Sequence, residues 1–376
     1  MAKILYALSG EGFGHATRSC AIIKRLSKIK SQSQPHKIKI VCGGKAHFYL
    51  SKHFNDVEKI QSLHINYFNN KVSGIGTFFL NLFTLPQQIS SYLKIKRLIK
   101  EFKPDVIIND FEHLSAYAAF FNKIPLISIG NHNVISNAHI CIPLKYLWES
   151  IKSKLVITFV IPSSNYYFIT TFFKPAIKNR FLKNTEYLPI IIRDEIKAIK
   201  PIKSINQIKT IKQQSNDYIL VYQTSKTNNS LLNLLKRFDK KFVVYGFNVD
   251  KTDGNILFKS FKEKEFYKDM ANCSAVIING GFSLMSEAIY LKKPVYSEPV
   301  KHQFEQILNA IYLQKLGYGM FAETSSKESL LAFFSKLDEY KKNLNSLGTK
   351  KLDNDFDKAI VKINENILFL TNNIIS

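Results

Sequence analysis

The stretch of the sequence best suited to binding a ligand is residues 276–309. An apolar run, 276–278, ends at Gly280 and Gly281, and small and polar residues then lead into an apolar-periodic stretch that contains Glu287. This order predicts a buried strand, a tight glycine turn and a helix. The backbone N–H groups and the dipole at the start of such a helix attract an anion, most often a phosphate. We therefore predict an anion-binding turn here.

A polar cluster follows this turn and suits a second set of contacts. A short apolar run, 294–296, predicts another strand, and residues 302–306 then supply histidine, glutamine and glutamate side chains. A nucleotide-sugar needs N–H groups for its diphosphate, a carboxylate for its ribose hydroxyls, and amide and carboxylate groups for its sugar. Because residues 276–309 contain all three, the pattern indicates a nucleotide-sugar pocket.

A second glycine-rich loop runs from Ser9 to His15, after a predicted first strand and before a predicted helix. Dinucleotide-binding domains place GxGxxG there, with an acidic residue about twenty positions later that binds the ribose. Here the spacing is GxGxG, and no Asp or Glu occurs between Glu11 and Asp56. The loop therefore argues against NAD binding. The sequence also contains no GxxxxGK[ST] motif, which argues against a P-loop NTPase.

His15 is the candidate base of this first loop. It follows the carboxyl end of the first strand, where open α/β sheets bind ligands, and a neutral imidazole can accept a proton near neutral pH. Asp110 follows a predicted strand and can hold the imidazole in one tautomer. Two structural interpretations stay open: His15 bonded to local backbone at the helix start, and Asp110 as the N-cap of the next helix. Glu11 and Glu112 are rival bases.

The segments GEGFGH with the following Arg18, NGGFSLMSE and HQFEQILNA together resemble the GT-B glycosyltransferases. The resemblance is greatest to the MurG-like (family 28) UDP-sugar transferases and their uncharacterised cytosolic relatives. It covers both ends of the chain, and the second block of motifs is the more specific. It implies an α/β protein of GT-B architecture, with two doubly wound, Rossmann-like parallel-sheet domains facing each other across a cleft.

The resemblance also implies roles for individual residues. His15, oriented by Asp110, is the expected catalytic base, and His132 is an expected acceptor contact. Glu287 is expected to bind the ribose hydroxyls. The expected donor-binding residues are Gly12, Gly14, Thr224, Ser225, Gly280, Gly281, Ser283, Glu287, Gln303, Glu305 and Gln306.

Two features set limits on these roles. The peptidoglycan enzyme's pattern favours paired glutamines where this chain has Glu305 and Gln306, so the identity of the sugar stays open. A solvated helix face remains an alternative for these two residues and for Glu287. No metal ligands and no resident cofactor are expected, because the DxD arrangements lie in the late helical tail rather than after a strand; they are formed by Asp353, Asp355 and Asp357.

These observations lead us to expect a metal-independent, inverting glycosyltransferase. It would move a hexose or N-acetylhexosamine from a UDP-sugar to an acceptor hydroxyl on a glycan, a lipid-linked sugar or a small molecule. One alternative is a UDP-sugar 2-epimerase of the same fold, which would turn over its substrate without an acceptor. Another is a non-catalytic binding protein on the surface of anionic membranes.

Composition favours a globular protein of two domains. The chain has 376 residues, of which 45% are hydrophobic, enough for two separate cores. No apolar stretch approaches the roughly 18 residues that a membrane-spanning helix needs. The four cysteines lie far apart and form no CxxC pair, which argues against a disulfide framework or a structural zinc site. We therefore expect a cytoplasmic location.

The charge of the chain is strongly positive, at +24 from 53 Lys and Arg against 29 Asp and Glu. It indicates either anionic partners or a lysine-rich composition spread over solvated faces. Basic residues concentrate at 24–30, 94–103 and 174–183, and aromatic residues near the last are Phe168, Phe172, Phe173 and Phe181. Peripheral contact with the inner face of an anionic membrane is therefore a secondary expectation. No nucleic-acid-binding signature occurs, which argues against RNA or DNA as a partner.

Short apolar runs alternate with helical patterns along the chain, which predicts parallel sheets with crossover helices. Strands are predicted at 4–8, 38–42, 106–108, 125–129, 218–222, 242–245, 275–278 and near 295, and helices at 16–29, 87–102, 114–121 and 356–375. The predicted domains are an acceptor-binding domain at 1–190 and a nucleotide-sugar-binding domain at 217–350. Residues 191–216 would link them, and 351–376 would form a helix that packs back toward the first domain.

Overall fold

The computed structural model describes residues 1–31, 34–68, 71–199, 217–223 and 229–372. These residues form two compact units, each built around its own seven-stranded sheet. The N-terminal unit comprises Met1–Tyr67, Ser73–Arg193 and the C-terminal segment that starts at Lys350. The C-terminal unit comprises Asp194–Thr349 together with the short segment Phe68–Val72.

The sheet of the N-terminal unit is parallel throughout, in the order β11-β10-β9-β8-β1-β4-β5. Two short two-stranded sheets lie outside it: the antiparallel pair β2–β3, and β6–β7. The strands are β1 (Lys3–Leu8), β2 (Lys30–Ser31), β3 (Gln34–Pro35), β4 (Lys37–Cys42), β5 (Val57–Lys59), β6 (Tyr67–Phe68), β7 (Lys71–Val72), β8 (Val106–Asp110), β9 (Leu126–Ile129), β10 (Tyr166–Thr170) and β11 (Thr185–Leu188).

Helices cover both faces of this sheet. They are α1 (Phe13–Leu26), α2 (Gly44–Leu50), α3 (Gly74–Phe83), α4 (Leu85–Phe102), α5 (His113–Phe121), α6 (Asn133–Asn137), α7 (Leu147–Val160) and the final helix of the chain, Thr349–Asn372, with 3-10 turns at Leu144–Tyr146 and Asn179–Phe181. Residues of α1, α2 and the final helix share one core with β1, and residues of α4, α5 and α7 share the other.

The central strand β1 shows why the apolar runs predicted strands so well. Ile4, Tyr6 and Leu8 enter one core while Leu5 and Ala7 enter the other, and all five are fully buried. Because a strand buried on both faces has no side that faces solvent, its sequence is a continuous run of apolar residues. The final helix lies on the first of these faces, where Phe356, Ile360 and Ile363 are buried in the core.

The C-terminal unit repeats this design with the strand order β14-β15-β13-β12-β16-β17-β18, in which β14 alone is antiparallel to its neighbour. The strands are β12 (Tyr218–Tyr222), β13 (Lys241–Tyr245), β14 (Lys251–Asp253), β15 (Ile256–Phe258), β16 (Ala275–Ile278), β17 (Val295–Ser297) and β18 (Gly319–Phe321). The helices are α8 (Asp194–Lys197), α9 (Asn229–Leu235), α10 (Glu263–Asn272), α11 (Phe282–Tyr290), α12 (Phe304–Lys315), α13 (Lys327–Ser335) and α14 (Leu337–Asn345), so that the final helix, Thr349–Asn372, is α15.

Both sheets have a topological switch point, which lies between two neighbouring central strands whose onward connections run to opposite edges of the sheet. In the N-terminal unit it lies between β1 and β8, which are paired with Leu8 opposite Asp110. In the C-terminal unit it lies between β12 and β16, paired with Tyr222 opposite Ile278. Ligands of open α/β sheets bind outside the carboxyl ends of the strands at such points. The glycine-rich loop at Ser9 and the Gly280 turn begin there.

The predicted α/β class with two doubly wound parallel sheets is confirmed. Several elements were not predicted, including β10, β11 and α7. Two aromatic residues assigned to a basic surface, Phe168 and Phe173, are instead buried, so that part of the surface prediction is wrong. Among the described residues, no helix combines the length and the apolar character that crossing a bilayer requires.

Candidate active site

Asp110 anchors the polar cluster of the N-terminal unit. It ends β8, is fully buried, and its Oδ1 lies 2.8 Å from Nδ1 of His15 and 2.5 Å from Nη2 of Arg18. Its Oδ2 accepts hydrogen bonds from Nε of Arg18 at 3.2 Å and from Oγ of Ser19 at 3.0 Å. Burial acts to raise the pKa of this carboxyl, but the charges of Arg18 and His15 outweigh it and hold the pKa well below its usual range. Asp110 is therefore a carboxylate at neutral pH.

Helix α1 supplies all three partners of this carboxylate from one face. His15, Arg18 and Ser19 are three and four positions apart, a spacing that places side chains on the same side of a helix. Arg18 is buried despite its charge, and the carboxylate of Asp110 compensates it. The pairing of β1 with β8 brings the start of α1 beside Asp110, so the fold itself assembles the cluster.

The contact with Asp110 determines which nitrogen of His15 carries the proton. A carboxylate can only accept a hydrogen bond, so the 2.8 Å contact places a proton on Nδ1, and Nη2 of Arg18 lies farther from the same nitrogen, at 3.3 Å. In the neutral form of the ring, the lone pair is then on Nε2. The side chain of His15 is 26% exposed although Asp110 is not exposed at all. Because Nδ1 faces the buried carboxylate, Nε2 is the ring nitrogen that remains for another partner.

His132 lies in the same neighbourhood, after β9. It is buried, its ring lies 4.6 Å from the ring of Phe111, and its Nε2 makes no hydrogen bond to any described residue. Burial, reinforced by the positive charges of His15 and Arg18 and opposed by Asp110, lowers the pKa of His132 to about 3. His132 is therefore neutral, and its predicted contact with an acceptor stays a prediction.

The backbone beside Asp110 is strained. Phe111 has φ of +60°, which a residue with a bulky side chain rarely adopts and which costs about 1–3 kcal/mol. The centre of its ring lies 6.4 Å from that of His15 and 4.6 Å from that of His132. Strain of this kind persists where the surrounding structure holds a residue in place, and it is common at functional sites.

Glu11 and Glu112, the alternative candidates for the base, have structural roles. Glu11 accepts hydrogen bonds at 3.0 Å from Nδ1 of His64 and from the backbone N–H of Ile65. Glu112 is buried and is the N-cap of α5, where it accepts from two backbone N–H groups. The interpretation of Asp110 as that cap is therefore wrong, and so is that of His15 as a residue bonded only to local backbone.

The glycines of the first loop divide into two groups. Gly10 is needed for packing, because a Cβ there would lie 2.8 Å from the backbone of Gly43, in the turn after β4. Gly12 and Gly14, the predicted donor contacts, lie at the start of α1, where Gly12 is the N-cap and has no side chain to cap the helix. Their predicted role in binding phosphate is not tested by this geometry.

In the C-terminal unit, the predicted strand–turn–helix is present between β16 and α11. Gly280 has φ of +96°, and Gly281 is the exposed N-cap of α11. A Cβ on Gly280 would lie 2.9 Å from Oγ of Ser297 and 3.1 Å from the backbone oxygen of Gln306, whereas a Cβ on Gly281 would meet nothing within 4 Å. Neighbouring atoms thus fill the space beside Gly280, whereas the space beside Gly281, at the N-terminus of α11, is empty.

Ser283 and Glu287 follow on α11. Ser283 is partly exposed in the first turn, and Glu287 is buried, at 4% exposure. Burial, and then the charge of Glu287, raises the pKa of Tyr222 at the end of β12. Glu287 therefore lies near the carboxyl end of the central strand, and the solvated helix face considered for it is wrong.

The start of α12 lies against the same turn. Nδ2 of Asn309 donates to the backbone oxygen of Gly280 at 3.2 Å, and the backbone of Gln306 lies beside Gly280. The side chain of Gln306 is buried, and its Oε1 accepts from the backbone N–H of Val300 at 2.9 Å, so it shapes the loop before α12. Glu305 is partly exposed, and Gln303 is the N-cap.

Sequence reasoning missed a set of polar residues around this turn. Asn279 donates to Oε1 of Gln223 at 3.0 Å and to the backbone oxygen of Glu298 at 3.2 Å. Buried polar atoms here that bond to no described residue include Nε2 of Gln223, Oγ of Ser297, Oδ1 of Asn309 and Oε1 of Gln303. Since buried polar groups normally have partners, these atoms favour a polar ligand or water at the turn. Three of these residues directly follow a strand, namely Gln223, Asn279 and Glu298. That position in the sequence could have identified them as candidates for the site.

Two predicted donor contacts, Thr224 and Ser225, lie outside the described residues. In the C-terminal unit, Gly280 lies beside Gln306, Gly281, Ser283 and Glu287 follow on α11, and Gln303 and Glu305 lie at the start of α12. Separately, the structure brings together His15, Asp110 and His132 in the N-terminal unit.

The two glycines of the turn make a matched pair of substitutions. Gly280→Ala is expected to lower the free energy of unfolding by about 1–3 kcal/mol, because it forces a left-handed backbone onto alanine and crowds Ser297 and Gln306. Gly281→Ala, with φ of −60° and open space, is expected to lower it by less, about 0.5 kcal/mol, because alanine is a poorer N-cap than glycine. Urea unfolding of both variants measures the difference, and equal losses would contradict this account of the turn.

Comparison with known proteins places this geometry in a family. The model described as Glycosyl transferase family 1 matches residues 2–338. An uncharacterised glycosyltransferase of Methanosarcina mazei is 22% identical over 374 residues, which cover 90% of this chain and 91% of the relative. A second relative, from Clostridium novyi, is the UDP-N-acetylglucosamine--N-acetylmuramyl-(pentapeptide) pyrophosphoryl-undecaprenol N-acetylglucosamine transferase. It is 22% identical over 391 residues, which cover 96% of this chain and 98% of the relative.

A solved structure supports the same fold. The glycotransferase of kitacinnamycin superposes with a TM-score of 0.63 at 13% identity, over 96% of this chain and 98% of that one. With both sheets present and the family model spanning most of the chain, the resemblance drawn from the motifs is confirmed. The chain belongs to glycosyl transferase family 1 and has the GT-B fold.

Proposed function

We propose that this glycosyltransferase moves a hexose or N-acetylhexosamine from a UDP-sugar to an acceptor hydroxyl, with inversion at the anomeric carbon and without a metal ion. The observation that carries the proposal is the contact of Nδ1 of the partly exposed His15 with the buried Asp110 carboxylate, which would leave Nε2 as the ring nitrogen that accepts a proton. This is the arrangement that general-base catalysis requires.

In the proposed reaction, Nε2 of His15 takes the proton of the acceptor hydroxyl. The acceptor oxygen forms a bond to the anomeric carbon from the face opposite the diphosphate, and the bond from that carbon to the UDP oxygen breaks. The protonated ring of His15 is then stabilised by the Asp110 carboxylate, which is ionised before the reaction begins. Displacement in a single step inverts the configuration of the sugar.

The C-terminal unit would hold the donor. The exposed start of α11 after Gly281 is proposed to bind the diphosphate, with Ser283 in its first turn. Glu287 is proposed to bind the ribose hydroxyls, and Gln303, Glu305 and Gln306 the sugar. The choice of UDP is supported by the name of the Clostridium novyi relative, which states a UDP-sugar as its donor.

The backbone N–H groups at the start of α11 are proposed to stabilise the departing diphosphate, as a metal ion does in other transferases. Charge develops on the departing diphosphate, and one well-placed N–H donor is worth about 3 kcal/mol by analogy with oxyanion holes. We therefore expect the rate of transfer to be unchanged by a metal chelator. Loss of activity in chelator, restored by adding a divalent cation, would contradict this part of the proposal.

A thermal-shift screen tests the donor. UDP-, GDP- and dTDP-sugars are each added at a large excess, and a ligand present at about 100 times its Kd contributes about 2.7 kcal/mol to stability. The melting temperature should rise by several degrees with UDP-sugars and not with the others. Incubation of the same donor without any acceptor then separates the reaction classes, because rapid conversion to an epimer would contradict transfer as the activity.

Glu287→Gln tests the ribose contact. It is expected to weaken UDP binding by about 1–3 kcal/mol, the cost of leaving buried polar partners unmatched. The matched control is Glu339→Gln, which changes an exposed carboxylate on α14 of the same unit and should leave UDP affinity unchanged. Calorimetric titration with UDP measures both variants. An affinity equal to that of the unmodified protein would remove Glu287 from the site.

A further inference from the structure

Arg18 binds both oxygens of the Asp110 carboxylate. Its Nε lies 3.2 Å from Oδ2 and its Nη2 lies 2.5 Å from Oδ1. Both groups are removed from water, because the two side chains are 5% and 0% exposed. A planar guanidinium that binds two carboxylate oxygens fixes the orientation of the carboxylate as well as balancing its charge. Arg18 therefore holds the group that in turn contacts His15.

The guanidinium and the imidazole share one oxygen of this carboxylate. Oδ1 of Asp110 lies 2.8 Å from Nδ1 of His15, and Nη2 of Arg18 lies 3.3 Å from the same Nδ1. The guanidinium is a permanent cation, since arginine does not lose its proton in proteins. A positive charge so close to the ring disfavours a second positive charge on the imidazole.

The other titratable side chains that interact with Asp110 are neutral. Tyr6, on β1, keeps its phenol proton, because burial and then the charge of Asp110 raise its pKa. His132, after β9, is neutral because burial lowers its pKa to about 3. The charges of Asp110 and Arg18 thus balance each other. A proton added to His15 would give this cluster an unbalanced positive charge in a largely buried place.

Nearby acidic residues do not change this balance in the part of the chain that the structure describes. Glu11, at the loop before α1, is bonded to Nδ1 of His64 and to a backbone N–H group. Glu112 is buried at the cap of α5, where its two oxygens accept from backbone N–H groups. The carboxylate that contacts His15 is that of Asp110.

We propose that Arg18 is a positioning residue of the transfer reaction, the resident counter-ion of Asp110 that leaves His15 neutral and able to accept a proton. If Arg18 were absent, the buried carboxylate would need another cation, and the ring at 2.8 Å would supply it by taking a proton from water. An imidazolium held in that way cannot act as a base. The inference rests on the proposed role of His15 as the base.

Histidine NMR measures the protonation of His15 without a sugar donor or an acceptor. The full-length protein is isotope-labelled in its histidine rings and titrated with acid, and the signal that is missing from His15→Ala identifies the ring. In the unmodified protein we expect a neutral ring with its proton on Nδ1 at about pH 7.5. In Arg18→Met we expect the midpoint of the titration to lie at least about one pH unit higher, because a neighbouring cation has been removed.

Two further variants separate charge from shape. Arg18→Lys keeps the positive charge but loses the planar fork, so the midpoint should stay close to that of the unmodified protein while transfer slows. The matched control is Arg25→Met, which removes another arginine of α1. Arg25 pairs with Asp357 and lies over the ring of Phe356, so its loss should leave both the titration of His15 and the rate of transfer unchanged.

The pH dependence of transfer gives a second readout. On the acid side of both midpoints, Arg18→Met should be at least about tenfold slower than the unmodified protein, because one pH unit changes the neutral fraction of the ring tenfold. The gap should narrow as the pH rises past the new midpoint and the ring loses its proton. A purely structural role for Arg18 would instead lower the rate by the same factor at every pH.

Three results would overturn the proposal. One is an imidazolium at His15 in the unmodified protein at neutral pH, a measurement that stands even if Arg18→Met fails to fold. The second is an unchanged midpoint in a folded Arg18→Met, and the third is a shift in Arg18→Lys as large as that in Arg18→Met. Because the NMR titration uses no substrate, a failure of this proposal is distinguishable from a failure of the proposed transferase activity.

Discussion

Replacing His15 with alanine is expected to lower the rate of sugar transfer by about 10²–10⁴-fold while UDP binding stays nearly unchanged. The imidazole is proposed to contact the acceptor hydroxyl, whereas Glu287 and the α11 helix start, which are proposed to hold the donor, lie in the C-terminal unit. His15 is partly exposed at the start of α1, so its removal should cost little folding free energy. Steady-state transfer assays and calorimetric titration with UDP measure the two effects separately.

A matched control and a rescue experiment make this result specific. His47→Ala changes a partly exposed histidine on α2 of the same unit and should transfer sugar at the normal rate. Added imidazole should restore part of the activity of His15→Ala, because a small base can occupy the space that the side chain leaves. If His15→Ala lost UDP binding and thermal stability in the same proportion as activity, the role of His15 would be structural.

The sheet strands were predictable because burial on both faces leaves a clear mark in the sequence. Residues 4–8, 218–222 and 275–278 are uninterrupted apolar runs, and each is a central strand within one residue of the predicted bounds. The helix α7 was not predicted. Its exposed side carries Trp148, Leu155 and Phe159, so apolar residues surround it and the polar–apolar period that identifies a surface helix is absent.

The candidate base and its partner could be predicted from position, and the rest of the cluster could not. His15 lies at the start of the helix after β1 and Asp110 is the last residue of β8, and neighbouring parallel strands end at the same edge of a sheet. The burial of Arg18 is invisible in sequence, because an arginine within a helix usually indicates a solvated face. The left-handed backbone of Phe111 is equally hidden, since it results from how the loop between β8 and α5 must turn.

The surface chemistry was the hardest part to predict. Four phenylalanines lie near the basic residues at 174–183 in the sequence, but two of them, Phe168 and Phe173, are buried. Exposed aromatic residues occur instead on α3, α5 and α7, among them Phe83, Phe121 and Trp148. Proximity along a strand does not determine the face, because successive side chains of a strand point to opposite sides. Which of the two sides faces solvent becomes clear only from the packing of the sheet against its helices.

Replacing Asp110 with asparagine is expected to lower the free energy of unfolding at neutral pH by about 3–5 kcal/mol. The substitution leaves the buried guanidinium of Arg18 without a compensating charge, and breaking one side of a buried ion pair is strongly destabilising. Transfer should fall as well, because an amide can also donate to Nδ1 of His15 and so favour the wrong tautomer. The control is Asp253→Asn, which removes an exposed ion pair with Lys236 and should change stability little.

The dependence of this loss on pH distinguishes a charge effect from a packing effect. The pKa of Asp110 is lower in the folded state than the value of about 3.9 in an unfolded chain. Its contribution to stability is therefore complete above that value, and it is lost as the pH falls through the folded-state pKa. The gap between the unmodified protein and Asp110→Asn should narrow steadily below about pH 4, as measured by urea unfolding. A gap that stays constant across the acid range would show that shape, and not charge, makes Asp110 necessary.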